Sequence, residues 1–326
     1  MVRVDRLVDR PIIGPTLDPS IGQNIQGPSL IRVPDWVASP LGRYYLYFAH
    51  HKGAYIRLAV ADDLKGPWRI HRPGSLHLKD SGFLTKPPEV SQEQRAQIKA
   101  AYAMGRYRVS HDIIYEVTTP HIASPDVHVD KARQRIRMYF HGLEGVATQV
   151  TRVAESRDGI DFEAYPQVLG RSYMRVFEWD GFTYAMSMPG QFYRSKDGRG
   201  KFEQGPLLFN PNMRHAALLV RDTTLSVFWT QVGDAPERIM LSTIDLSKDW
   251  LQWQESESIE VLRPERNWEG ACSPLEPSIR SVAYGQVNQL RDPAIYSEGE
   301  RVFLLYAVAG ESGIAIAEVF FDEDTL

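Results

Sequence analysis

Five times along the chain an apolar strand is entered through a short polar or proline-containing phrase. The five are Gly27-Pro28-Ser29-Leu30-Ile31, Ser124-Pro125-Asp126-Val127-His128, Met174-Arg175-Val176-Phe177, Arg214-His215-Ala216-Ala217-Leu218 and Arg291-Asp292-Pro293-Ala294-Ile295. Each is followed by an aromatic-rich second strand and then by a third that ends in a surface charge cluster. Five copies of one β-meander read as five blades, so the expected fold is all-β, a five-bladed β-propeller using residues 1–326 as a single domain. Radial packing brings the first strands together at one axis, so residues far apart in sequence can share a site.

Blade one is the clearest. Its strands are Ser29 to Val33, Arg43 to His50 and Tyr55 to Ala61, β-rich runs separated by Pro, Asp and Gly turns. Blades two and three close on near-identical phrases, Ser156-Arg157-Asp158-Gly159 and Ser195-Lys196-Asp197-Gly198, 39 positions apart. Blade four runs through Ala216 to Val220, Leu225 to Thr230 and Arg238 to Ser242; blade five has Ala294 to Tyr296, Val302 to Ala307 and Ile314 to Val319. Two insertions interrupt the period. Residues 80–120 hold a helix candidate, Ser91 to Met104, with a capping start at Ser91, followed by Tyr107 to Thr119. Residues 260–290 form a long connection without strong periodicity. Both lead into first strands, where long connections are commonly functional.

Composition narrows the partners. The formal charge of −4, with no block of like charges, gives no electrostatic reason to expect nucleic acid or an anionic membrane. A neutral ligand fits better. The single Cys272 rules out an internal disulfide and a thiol metal site. The charged N-terminus lacks the apolar run of roughly 7 to 15 residues that a signal peptide needs, and no apolar stretch approaches the ~20 residues of a membrane span. A cytoplasmic location is expected.

In a propeller the loops entering the first strands and those joining second to third strands share one end of the channel. Here they collect six of the nine histidines, His50, His51, His111, His121, His141 and His215. Three carboxylates stand out as catalytic candidates. Asp292 follows Arg291 at the mouth of an apolar strand, although a turn aspartate before Pro293 would look the same. Asp126 lies in an apolar strand on the same face as Ser124, where a charge must be paired or face a water-filled channel. Glu269 adjoins Trp268, and a carboxyl desolvated by an indole has the raised pKa that suits a general acid.

Binding candidates are Gln26, His50, His51, His121 and His141, together with His215 and Glu311. A lone histidine at a strand edge is more often structural than functional. Arg175, Arg214 and Arg291 either take an anionic substituent or neutralise the site's own acids, the second being the commoner arrangement. Trp36 and Trp268 lie in or beside loops and suit sugar stacking, whereas Tyr44, Tyr45, Tyr47, Phe48 and Tyr306 read as core. A structural Ca²⁺ at the channel centre, reached from His215 through water, is the one metal the residues suggest; no other cofactor is called for.

The blade-one phrases Gly42 to Ala49 and Ala59 to Trp68 resemble the first blade of glycoside hydrolase family 43, and Arg291-Asp292-Pro293 resembles the Arg-Asp-Pro of the β-fructofuranosidases. The resemblance implies cleavage of a furanoside or pyranoside by carboxylates on the inner strands, two of them acting as acid and as base or nucleophile. There is one departure. Where those families have Asp-Pro entering blade one, this chain has Gln26-Gly27-Pro28. The expected function is therefore hydrolysis of a poly- or oligosaccharide with the carboxylates redistributed to Asp126, Glu269 and Asp292. The alternatives are a non-catalytic carbohydrate-binding propeller and a lyase or phosphorylase working through His and Arg groups.

Overall fold

In the computed structural model, which describes residues 2–105 and 108–321, five antiparallel sheets follow one another around an axis. Their first strands are Gln26–Arg32, Ile122–Asp130, Arg175–Trp179, Met213–Arg221 and Arg291–Glu298. The predicted propeller is thus the observed fold. The N-terminal strand Val2–Arg6 pairs with Ile314–Phe321 as the outermost strand of blade five, so the two ends of the chain complete one sheet. Within the second insertion, Ile259–Leu262 supplies the outer strand of blade four.

Side-chain alternation explains why the blades stack. In the strand Tyr44–Ala49, Tyr44, Leu46 and Phe48 face blade five, packing with Phe303 and Leu305, while Tyr45 and Tyr47 face blade two with Ile136 and Met138. A strand buried on both faces needs no polar alternation, and all six of its residues are buried. One apolar cluster fills each of the five gaps between neighbouring blades.

The repeated closing phrase has a mechanical meaning. In blade two the Ser156 hydroxyl accepts from the Asp158 and Gly159 amides, and Tyr47 of blade one donates its hydroxyl to Gly159 O at 2.6 Å. Blade three repeats the device. Tyr139 of blade two donates to Gly198 O at 2.9 Å. Both glycines have positive φ, 79° and 67°, and a Cβ at either would stand 2.7 Å from the tyrosine oxygen. The phrase therefore ties each blade to the one before it.

Helix α1, Gln92–Met104, begins where the sequence placed it, with Ser91 and Gln94 forming a reciprocal capping box. Tyr107 of the following segment lies outside the described residues. The remainder of that segment contains a shorter helix, α2, Ile113–Thr118, capped by Asp112. The two insertions meet over one end of the channel. Ser110 donates to Val282 O at 2.6 Å, and His111 Nδ1 lies 2.9 Å from the Tyr284 hydroxyl.

Candidate functional site at the mouth of the propeller

The first strands do not run straight into the axis. In four blades the register with the second strand breaks, between Gln26 and Ser29, Ala123 and Asp126, Met213 and Ala216, and Arg291 and Ala294. Each bulge re-aims two residues at the channel. The first bulged positions are Gly27, Ser124, Arg214 and Asp292; in blade three Tyr173 holds the corresponding place, two residues before the first paired residue, Arg175. Gly27, Ser124, Tyr173 and Asp292 all have φ between 47° and 63°. At this ring of equivalent positions only blade five presents a carboxylate. A Cβ on Gly27 would come within 3.1 Å of Ser124 Cα, so the close approach of blades one and two leaves little room for an acid there.

Above this ring lies a cavity of about 160 Å³, walled by Gln26, Ser124, His141, Tyr173, Arg214 and His215 from the blades. Gln149 of the third strand of blade two joins them, and His51, Glu116 and Ser281 complete it from loops and insertions. Tyr173 and His215 stack, with centroids 4.9 Å apart. Asp292 lies against both rings: Tyr173 donates its hydroxyl to Oδ1 at 3.0 Å, and His215 Nε2 is 3.6 Å from the same oxygen. Oδ2 is buried without a hydrogen-bond partner. Burial and then the Glu311 charge push the Asp292 carboxyl up to about 6.

Glu116, reaching in from α2, is the opposite case. Burial opposes its ionisation, but Lys52, 3.2 Å away, and His51, with hydrogen bonds from Ser281 and His111, hold it down to about 2. It stays ionised. The histidines are the reverse of charged. Burial, reinforced by Arg214, keeps His215 far below 6.5, and burial with its neighbour His121 does the same for His141. His121 itself, held down to about 3 chiefly by burial, approaches Thr119 O with Nδ1 at 2.7 Å and supports the His141 ring edge-on. At neutral pH these rings are neutral donors and acceptors.

The arginines neutralise the site's acids. Arg214 grips Glu237 through Nε at 2.9 Å and Nη2 at 2.7 Å; Arg291 donates to Glu311 at 2.8 Å and to Gln289. Glu311 in turn accepts from Asn24 at 2.6 Å and lies 3.2 Å from His51 Nδ1. Arg175 spans the axis. It donates to Pro125 O in blade two at 2.7 Å, to Ala216 O in blade four at 3.0 Å and to the Tyr173 hydroxyl at 3.1 Å. Its guanidinium separates the mouth from a larger chamber of about 820 Å³ further along the channel.

Several expected site residues lie elsewhere. Asp126 faces that lower chamber, bound to His128 at 2.7 Å and to the Val176 amide, because the bulge puts it two positions past the ring. Trp36 lines the same chamber. Glu269 is fully buried but away from the channel, accepting from Arg6 at 2.7 and 3.0 Å, from Tyr306, and from the Glu265 and Arg266 amides. It secures the N-terminal strand. Trp268 packs beside it against the cluster between blades four and five. His50 accepts the Lys52 amide in a turn and does not reach the cavity; burial brings it down to about 4.

Gln26, His51, His141, Arg214 and His215 do converge, with Arg291, Glu311 and His121 behind them. Tyr173 and Glu116 were missed. The first was findable, since it precedes Arg175 as Gly27 precedes Ser29; the second carries no local signal beyond its place in an insertion. Among the described residues no group of three or more His, Cys, Asp or Glu side chains is placed to hold a metal ion, and His215 Nδ1 faces the Asp292 amide at 3.3 Å.

No protein-family model matches the chain. It is 34% identical over 323 residues to the uncharacterized protein R118 of Acanthamoeba polyphaga mimivirus, covering 91% of this chain and 83% of that one. Among solved structures it is similar to a family-43 β-xylosidase/α-arabinofuranosidase from a compost microbial metagenome, with a TM-score of 0.58, 12% identity, and 99% and 97% of the two chains covered. It is also similar to the Cellvibrio cellulosa α-L-arabinanase, at a TM-score of 0.55 and 9% identity over 92% and 93%. A family-43 enzyme from Xanthomonas citri matches at 0.58 and 12% over 97% and 92%.

Proposed function

From the premise that the chain belongs to one family with the mimivirus protein R118 and has the propeller fold of the family-43 glycoside hydrolases, we propose that it hydrolyses the terminal glycosidic bond of a neutral glycoside. The observation that carries this reading is the division between two carboxyls: Glu116, which lines the cavity and is held down to about 2, and Asp292, buried directly behind the Tyr173 and His215 side chains that wall it and raised to about 6. Two acids pushed apart by their surroundings are the acid and the anionic partner that glycosidic cleavage needs. Asp292 gives its proton to the leaving oxygen as the anomeric bond breaks. Water adds to the anomeric carbon, and its proton passes to Glu116. The α2 insertion thereby supplies the carboxylate that Gly27 cannot.

A volume of about 160 Å³ fits one sugar ring, below the roughly 300 Å³ at which pockets for larger ligands begin. Its walls of Gln26, Ser124 and the neutral His141 and His215 suit hydroxyl groups. A lyase or phosphorylase would need a cation to take up an anion, and Arg214, Arg291 and Lys52 each already face a carboxylate. Non-catalytic sugar binding is favoured by one observation, the single carboxylate among the five ring positions.

A panel of aryl glycosides and plant or algal oligosaccharides, with products read by NMR, tests the reading. Release of one terminal monosaccharide, lost in Glu116→Gln, is the expected result. Saccharide binding with no product would sink hydrolysis and leave the binding module, whereas phosphate-dependent turnover or an unsaturated, ultraviolet-absorbing product would replace it with another reaction.

A further inference from the structure

The sugar cavity continues outward into a second, differently built space. A groove of about 440 Å³ is lined by Tyr102, Val109, Ile113, Pro189 and Pro211, and it shares Met188 and Arg280 with the cavity at the mouth. Apart from Arg280 its lining side chains are apolar. The Tyr102 hydroxyl does not add polarity, because it accepts the Val109 amide at 2.7 Å. Pro211 is exposed, and Tyr102, Val109, Ile113, Met188 and Pro189 are half-buried, so an open apolar surface lies directly beside a hydrophilic pocket. Three of these residues come from the first insertion: Tyr102 lies in the last turn of α1, and Val109 and Ile113 flank the start of α2. Pro211 precedes the first strand of blade four.

We propose that this groove is an aglycone subsite, and that the substrate, resting on the sugar pocket proposed above, is a glycoside whose leaving group is an apolar alkyl or aryl moiety rather than a second sugar. The shared Met188 fixes the occupant. A ligand whose sugar fills the inner cavity must carry its anomeric substituent past Met188, and the next surface it meets is the Tyr102, Ile113 and Pro189 wall. A following sugar would there exchange its hydrated hydroxyls for carbon, at a cost of unpaired polar groups; an alkyl chain or aromatic ring loses only water. The flexible Met188 thioether suits substituents of differing shape. Val109 bridges Arg280 in the other insertion, so both insertions that interrupt the blade repeat build this one wall.

The test uses the full chain and the methyl, butyl and octyl glycosides of glucose, galactose, mannose, xylose and arabinose in both anomers, below micellar concentration, with affinity read by titration calorimetry or ligand-observed NMR. For the sugar that binds, affinity is expected to climb from methyl to octyl by roughly two- to fourfold per buried methylene. Ile113→Ser and Val109→Ser should flatten that climb while the methyl glycoside keeps its affinity, which also shows that the variants are folded. Equal affinities for methyl and octyl glycosides would overturn the subsite and leave the sugar pocket standing. Octanol binding as tightly as the octyl glycoside would also overturn it, by separating the groove from the sugar. If no glycoside of any length binds, the proposed function itself falls and the subsite with it.

Discussion

Tyr173 in blade three donates its hydroxyl to Asp292 in blade five at 3.0 Å, across the channel and between blades that are not neighbours. The contact joins two residues at equivalent bulge positions, and Arg175 supports it from below by donating to the same hydroxyl. It leaves Asp292 with one oxygen engaged and one free. A buried carboxyl so placed is costly when ionised, and that cost sets its chemistry.

The pH profile follows from the two carboxyls. Asp292 must hold its proton to act as acid, so kcat/KM is expected to fall above about pH 6. Glu116 is ionised down to about 2 and imposes no limb in the ordinary acid range. Initial rates between pH 4 and 9 check this; a profile that rises through pH 6 would give Asp292 the opposite role.

The same shift has a stability consequence. A carboxyl raised from 3.8 in the unfolded chain to about 6 in the fold favours the folded state fully only below pH 4, and that contribution is lost as pH rises through 6. Asp292→Asn removes the titration. The variant is expected to gain on the wild type by about 1–3 kcal/mol at pH 8 relative to pH 4, read by urea unfolding at both pH values.

Arg291 is buried between Glu311 and Glu237, 2.8 and 3.5 Å away, so truncating it strands carboxylates without water. Arg291→Ala should cost about 3–5 kcal/mol of stability. Denaturant titration measures the loss, and a loss below 1 kcal/mol would mean that the chain of charges relaxes freely.

Glu269 holds the N-terminal strand through Arg6. Glu269→Gln is expected to destabilise by about 1.5–3 kcal/mol while sugar affinity stays at the wild-type value. Loss of affinity without loss of stability would return Glu269 to the site.

The blade repeat was legible because it is written in local chemistry: aromatic second strands, Asp-Gly turns and, in three blades, a proline within the bulge. Even the Ser-Arg-Asp-Gly phrase proved structural in a definite way, since Gly159 and Gly198 admit a tyrosine hydroxyl from the preceding blade. The site was legible only in part. Asp292 and Asp126 lie two places apart in the same repeat, yet the bulge sets the first in the ring beneath the mouth and sends the second past Arg175 to the lower chamber. No periodicity marks that difference. Glu269 misled for a related reason, because an indole neighbour implies desolvation without saying where the loop goes. Glu116 depends on how an insertion folds back over Lys52 and Ser281, which is a tertiary fact with no local signature.

The central claim is that cleavage belongs to the mouth of the channel and to Asp292. It is tested most directly by measuring glycoside turnover for wild type, Asp292→Asn and Asp126→Asn side by side, with saccharide affinity recorded for each. The account predicts that Asp292→Asn loses roughly 10²- to 10⁴-fold in kcat while still binding, and that Asp126→Asn stays within a few-fold of wild type. Full turnover in Asp292→Asn, or its loss in Asp126→Asn alone, would contradict it.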